Sequence, residues 1–231
     1  MALFSRKARD SARPPVPFIV GVGRSGTTML RLMLDAHPDL AIPPETHFVP
    51  ELIDAIDGGA TPEQAATTMT AVRQWGDLDT DPEDVVARWR QLERFESGPA
   101  LRAFYEMYAE RQGKPRYGEK TPAYVKSMVK IEGALPEARF VHVIRDGRDV
   151  ALSRWKRTLG DKDPAPAGQV AETWARRMRR CQPSATCVAG AGSLSPSVRF
   201  QRDRATSRPS RITWMKRASG SVFSILRMFL T

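Results

Sequence analysis

Cysteine, histidine and long apolar runs are what this 231-residue chain has least of. Its two cysteines, Cys181 and Cys187, both fall in the last quarter, so no disulfide framework holds the body together. That suits a reducing compartment, and the cytoplasm is the expected location. Three scattered histidines without clustered cysteines give no metal site. No apolar run is long enough for a membrane span: Val222 to Leu230 is short and contains Arg227. The start, Met1 to Pro17, is basic and proline-rich and lacks the apolar stretch of a secretory signal. Acids are scarce in one region only. From Cys181 onward eight Lys+Arg face the single acid Asp203, which leaves 28 basic and 25 acidic residues in the first 180. The net charge of +10 is therefore mostly a property of the tail, and no specific nucleic-acid partner is expected from it.

Against these absences stands Phe18 to Asp35, FIVGVGRSGTTMLRLMLD. It reads as a buried strand, a glycine-rich turn and a helix with Met29, Leu30, Met33 and Leu34 on one face. His37-Pro38 stops that helix. The backbone N–H groups of Ser25, Gly26, Thr27 and Thr28 would form an anion hole at the helix start, with Arg24 adding a forked, permanently charged contact. Gly21 to Thr28 has the spacing of a phosphate loop, yet Thr27 stands where a nucleoside triphosphatase carries lysine. The basic residue sits three places earlier, as Arg24. That missing lysine argues against a P-loop nucleotide kinase.

Further along, Leu40-Ala-Ile reads as a short strand, and Pro43-Pro44 forces an extended entry to Glu45-Thr46-His47. Thr61-Pro-Glu-Gln64 is a capping box opening a helix towards Trp75. Asp81-Pro-Glu-Asp84 starts a second helix, running to about Phe95, and Pro99 a third, closed by Gly113. Arg116 to Lys120 reads as a strand and loop, and Thr121-Pro122 caps a helix through about Ile131. Arg139 to Ile144 is the second buried strand, followed by a turn at Arg145-Asp-Gly-Arg-Asp and a helix from Val150 to Arg157. A last helix is expected over 169–180, around Trp174. Strands alternating with helices predict an α/β fold, a P-loop-like parallel sheet flanked by helices in a single domain.

Arg145 leaves the end of a strand, where open α/β sheets bind ligands, and Ser153 follows eight residues on, close enough to share one phosphate. Two anion sites suggest an elongated donor with anionic groups at both ends. The stretch Phe18 to Phe48, with Gly-Val-Gly-Arg-Ser-Gly-Thr-Thr, Asp35-Ala-His-Pro-Asp39 and Glu45-Thr46, resembles the sulfotransferase family, in particular the tyrosylprotein sulfotransferases and their bacterial relatives. Val143-Ile-Arg-Asp-Gly-Arg resembles that family's 3′-phosphate motif. The resemblance implies 3′-phosphoadenosine 5′-phosphosulfate as donor cosubstrate, with no metal. Arg24, Ser25, Gly26, Thr27 and Thr28 would cradle its 5′-phosphosulfate, while Arg145, Ser153 and Arg157 hold its 3′-phosphate. It also implies Glu45 as catalytic base, with Lys120 and Arg24 stabilising the transferring group. The acceptor would carry a hydroxyl: a peptide tyrosine, a sugar, a lipid or a small metabolite.

Taken alone, Glu45 is an ordinary capping or surface carboxylate and Lys120 a solvated cation; the family register gives them their roles. His37 is expected as a partner of its helix end, His47 as a candidate lining of the acceptor pocket, and His142 as core. Trp75, Trp89 and Trp155 are expected to pack.

Residues 1–16 read as a flexible segment, 17–180 as the sulfotransferase-like domain and 181–231 as a basic tail, disordered or frameshifted. Nothing after Cys181 resembles the family's later motifs, so the C-terminal part of the fold is expected to be incomplete; the chain is expected to be a sulfotransferase, with that truncation as a route to lost activity. A non-catalytic nucleotide-binding remnant stays open as the alternative.

Overall fold

The computed structural model describes residues 13–158, Glu172 and residues 186–189. Strand β1 (Val16–Gly21) lies at the centre of a parallel sheet. On one side it pairs with β4 (Glu119–Lys120), and on the other with β5 (Ala138–Ile144). Beyond β5 runs β6 (Thr186–Ala189), also parallel. A separate two-stranded parallel sheet joins β2 (Leu40–Ala41) to β3 (Arg116–Tyr117). β6 falls in the segment after Arg180 that the sequence reading sets apart as a tail. The helix expected over 169–180 lies outside the described residues.

Both faces of the main sheet are buried, and period-2 alternation sorts β1 between them. Phe18 and Val20 join the larger core, whereas Ile19 joins a smaller one with Val141, Val143, Leu30 and Leu34. Helix α1 (Thr27–Asp35) supplies that smaller core through Leu30 and Leu34. The larger core gathers α2 (Val49–Asp57), α3 (Pro62–Thr70), α4 (Pro82–Arg90), α5 (Ser97–Arg111) and α6 (Met128–Ala134). An aromatic chain threads it. Phe140 packs on Phe18, Phe18 edge-on to Tyr105, Tyr105 on Phe104, and Phe104 edge-on to Phe48. The three edge contacts, all but Phe18–Phe140, bring a positive ring edge to a negative face and add about 0.5–1.5 kcal/mol per pair beyond area burial.

Local signals account for several boundaries. Thr61 accepts from the Gln64 N–H while the Gln64 side chain accepts from the Thr61 N–H, completing the capping box of α3. α3 ends at Thr70, and a 3₁₀ turn over Arg73–Leu78 carries the chain past Trp75. α4 stops at Arg90, short of the expected Phe95, and the segment after Thr121 divides into a 3₁₀ turn (Pro122–Lys126) and α6. Trp89 is buried with its indole N–H donating to the Ala100 carbonyl. Gly21 lies tight against β5: a Cβ there would meet the Val143 carbonyl oxygen at 2.7 Å, and φ is +155°. Helix α7 (Gly147–Thr158) follows β5, and Asp146 accepts from the Arg148 backbone N–H at its start.

Candidate functional site

Because every strand of the main sheet is parallel, their C-terminal ends share one edge, the place where open α/β sheets bind ligands. β1 ends at Gly21, opposite Val143 of β5, and Lys120 of β4 lies opposite Ile19. The loops that leave these strands therefore converge.

After β1 the chain turns through Arg24 (φ +75°) and Gly26 (φ +95°) into α1. Gly26 is the N-cap in left-handed backbone, which glycine adopts without a Cβ penalty. No side chain caps this helix, so its first N–H groups, from Gly26, Thr27 and Thr28, remain available for an anion. Ser25 contributes differently from expectation. Its backbone N–H closes the turn by donating to the Val22 carbonyl, at 3.2 Å, while its buried Oγ has no hydrogen-bond partner among the described residues. A buried hydroxyl without a partner costs about 1–3 kcal/mol, a deficit that a bound oxyanion would remove.

The second loop meets the first directly. Arg24 Nε donates to Ser153 Oγ at 3.1 Å, and Arg145 Nη1 donates to the Arg24 carbonyl at 3.2 Å. Arg145 also pairs with Asp149 at 3.6 Å. Arg24, Arg145 and Ser153 are thus neighbours, as one ligand touching both loops requires. The side chain of Arg157 lies outside the described residues.

The third element is the Glu45–His47 segment. Lys120 Nζ donates to Glu45 Oε1 at 2.7 Å, and His47 Nε2 lies 2.8 Å from Glu45 Oε2. The Lys120 side chain is 4% exposed, whereas Glu45 and His47 are 32% and 30% exposed, so solvent reaches the carboxylate from the His47 side. Burial alone would raise the Glu45 pKa. The hydrogen bond and charge of Lys120, aided by His47, outweigh it and hold the carboxyl below its usual range. Thr46, between them, is fully buried. Its N–H donates to Thr121 Oγ1 at 3.0 Å, and its hydroxyl meets Tyr124 Oη at 2.6 Å. The same Tyr124 oxygen accepts the Val49 N–H, capping α2 from another part of the chain.

Beneath this segment Glu119, next to Lys120, is completely buried. It accepts from Thr121 Oγ1 at 2.6 Å and from Tyr105 Oη at 2.7 Å. Burial pushes its pKa up to about 7, against the opposing hydroxyls of Thr121, Tyr105 and Thr46 and the charge of Lys120. Sequence reasoning missed Glu119 and the Glu45–His47 contact. The alternation of Glu45 and His47 about Thr46 is the signal that could have exposed the second. The His37 Nδ1 accepts the Asp39 N–H in the turn after α1, and His142 is buried in β5. Among the described residues no group of three or more His, Cys, Asp or Glu could hold a metal ion, and no helix is long and apolar enough to cross a membrane.

A glycine loop opening an uncapped helix, a second arginine loop touching it and a carboxylate–ammonium pair at the same sheet edge mark an α/β protein of the P-loop-like kind. Comparison with known proteins places it more narrowly. A family model described as the sulfotransferase family matches residues 15–191, and the chain belongs to that family. Protein-tyrosine sulfotransferase 2 of Gallus gallus is 31% identical over 150 residues, 61% of this chain and 33% of that protein. Protein-tyrosine sulfotransferase 1 of Homo sapiens is 32% identical over 136 residues, 58% of this chain and 32% of that protein. The chain thus matches about a third of the length of these curated relatives. Among solved structures, the sulfotransferase domain from the Synechococcus PCC 7002 olefin synthase aligns with 79% of this chain and 69% of its own, at 23% identity and a TM-score of 0.47.

Proposed function

We propose that this chain moves a sulfuryl group from 3′-phosphoadenosine 5′-phosphosulfate to a hydroxyl acceptor, with Glu45 as the base. The observation that carries the reading is the Glu45–Lys120 pair, 2.7 Å apart, on the strand edge where the Arg24 and Arg145 loops meet. The residues present fit such a donor. The partnerless Ser25 hydroxyl and the uncapped start of α1 suit an oxyanion, and Arg24 and Arg145 bring two permanent charges.

When bound, the donor supplies an activated sulfuryl group. Gly26, Thr27 and Thr28 would hold its 5′ end through backbone N–H groups, and Arg145 and Ser153 its 3′-phosphate. Lys120, held on Glu45 Oε1, would lend its charge to the transferring oxygens as charge develops there. Glu45, exposed on one side, then accepts the proton of the acceptor hydroxyl. The names of the curated relatives make a peptide tyrosine the first acceptor to try; sugars, lipids and small metabolites follow.

The test is Glu45→Ala, assayed for transfer to a tyrosine peptide and for donor-product binding by calorimetry. Transfer is expected to fall at least ~100-fold, within the usual worth of a general base, with affinity kept within about threefold. Equal loss of both would make Glu45 structural and sink its role as base.

A further inference from the structure

Three non-glycine residues among those described have left-handed backbone: Arg24, Asp79 and His47. Two of the three lie in the candidate site. Arg24 belongs to the phosphate-type loop, where the turn accounts for it. His47, at φ +57°, has no such account. The helix it precedes takes its N-cap from Phe48, and its Val49 N–H is satisfied by Tyr124, so α2 does not need an imidazole at 47. Its neighbours Thr46 and Phe48 are both fully buried, while its own side chain is one-third exposed and turned to Glu45. Backbone held in a sparsely populated region persists where the surroundings enforce it, and it clusters at sites whose geometry has to be fixed in advance.

The geometry shows what is fixed. Lys120 grips Oε1 of Glu45 from a sheet strand, and a single contact leaves a carboxylate free to pivot about it. His47 grips the other oxygen, Oε2, at 2.8 Å. An ionised carboxylate only accepts, so the shared hydrogen belongs to His47 Nε2. With both oxygens tethered, the carboxylate plane is set. Each oxygen still has a lone pair left for a third donor.

We propose that His47 is a positioning residue: it locks the Glu45 carboxylate against Lys120 in the orientation that receives the acceptor's proton. This rests on the reading of Glu45 as base given above. The proton passes from the acceptor hydroxyl to Glu45 as the acceptor oxygen bonds to sulfur and the bond from sulfur to the bridging oxygen breaks. His47 keeps its own proton throughout.

The test compares His47→Gly and His47→Asn with the parent full-length chain. Glycine removes both the side chain and the left-handed strain. The expected result is a melting temperature unchanged or up to ~3 °C higher, unchanged binding of 3′-phosphoadenosine 5′-phosphate, and a kcat at least ~10-fold lower. Asparagine tolerates left-handed backbone and keeps an N–H donor, so it should recover most of the lost kcat. A glycine variant that transfers at the parent rate overturns the proposal. So does one that loses melting temperature and activity together, since that is a structural role. Carboxyl titration of Glu45 by NMR gives a readout independent of turnover: removing the His47 contact should raise its pKa, and an unmoved titration also overturns the proposal. If the parent binds no donor product, the sulfuryl-transfer reading fails, while the Glu45 titration still decides whether His47 holds the carboxylate.

Discussion

Replacing Glu119 with glutamine isolates a carboxyl that the fold holds entirely out of water. Burial disfavours its charged form and carries its pKa from 4.5 to about 7. In the unfolded chain the proton leaves near 4.5; in the fold it stays until about 7. Between those values the folded state binds more protons, so rising pH removes stability. The contribution is fully present below 4.5 and lost as pH climbs through 7. At 1.36 kcal/mol for each pH unit between 4.5 and about 7, this amounts to about 3 kcal/mol. Glutamine stays neutral at every pH, so the stability of Glu119→Gln relative to the parent should rise by about 3 kcal/mol from pH 4.5 to pH 8. Urea denaturation followed by tryptophan fluorescence across that range measures it. Subtracting the parent curve cancels the opposite trend of Glu45 and Glu137, whose lowered pKa values strengthen the fold as pH rises from acid. A flat difference would refute the reasoning: the Thr121, Tyr105 and Thr46 hydroxyls with Lys120 would then keep Glu119 ionised and outweigh its burial.

Two further substitutions test the frame around the site. Gly21→Ala places a Cβ 2.7 Å from the Val143 carbonyl oxygen at φ +155°, and should cost about 2–4 kcal/mol in urea unfolding; a loss under about 0.5 kcal/mol would mean β1 and β5 can part freely. Tyr124→Phe removes the oxygen that caps Val49 and meets Thr46, leaving a buried N–H unsatisfied. It should cost about 2–3 kcal/mol and speed exchange of the Val49 amide, and an unchanged exchange rate would remove Tyr124 as the cap of α2.

Much of the scaffold is legible in local sequence because its causes are local. The glycine spacing from Gly21 to Thr28 marks the β1–α1 turn, the apolar run at Phe140 to Ile144 marks β5, and Thr61 with Gln64 marks the start of α3. α2 escapes such reading, since its first N–H is capped by Tyr124, 75 positions away in the chain. The strand expected at Arg116–Lys120 is in fact two strands in two different sheets, a split that depends on long-range pairing. At the site, residue types single out Arg24, Arg145 and Ser153, the family register adds Glu45 and Lys120, and the fold brings Arg24 to Ser153 and Glu45 to Lys120. The buried cluster of Glu119, Tyr105, Thr121, Thr46 and Tyr124 stayed hidden because hydroxyls and carboxyls scattered over the chain carry no periodicity. Their burial decides their role, and burial is tertiary.

Calorimetric titration of the full-length chain decides whether the Arg24 and Arg145 loops grip an anionic sulfuryl donor. The ligands are 3′-phosphoadenosine 5′-phosphate and, separately, ATP with magnesium. The bisphosphate is expected to bind at least ~10-fold tighter, because Thr27 stands in place of the lysine that grips a triphosphate and Ser153 with Arg145 would offer a second phosphate site. Tighter binding of ATP with magnesium, or binding of neither, would contradict it.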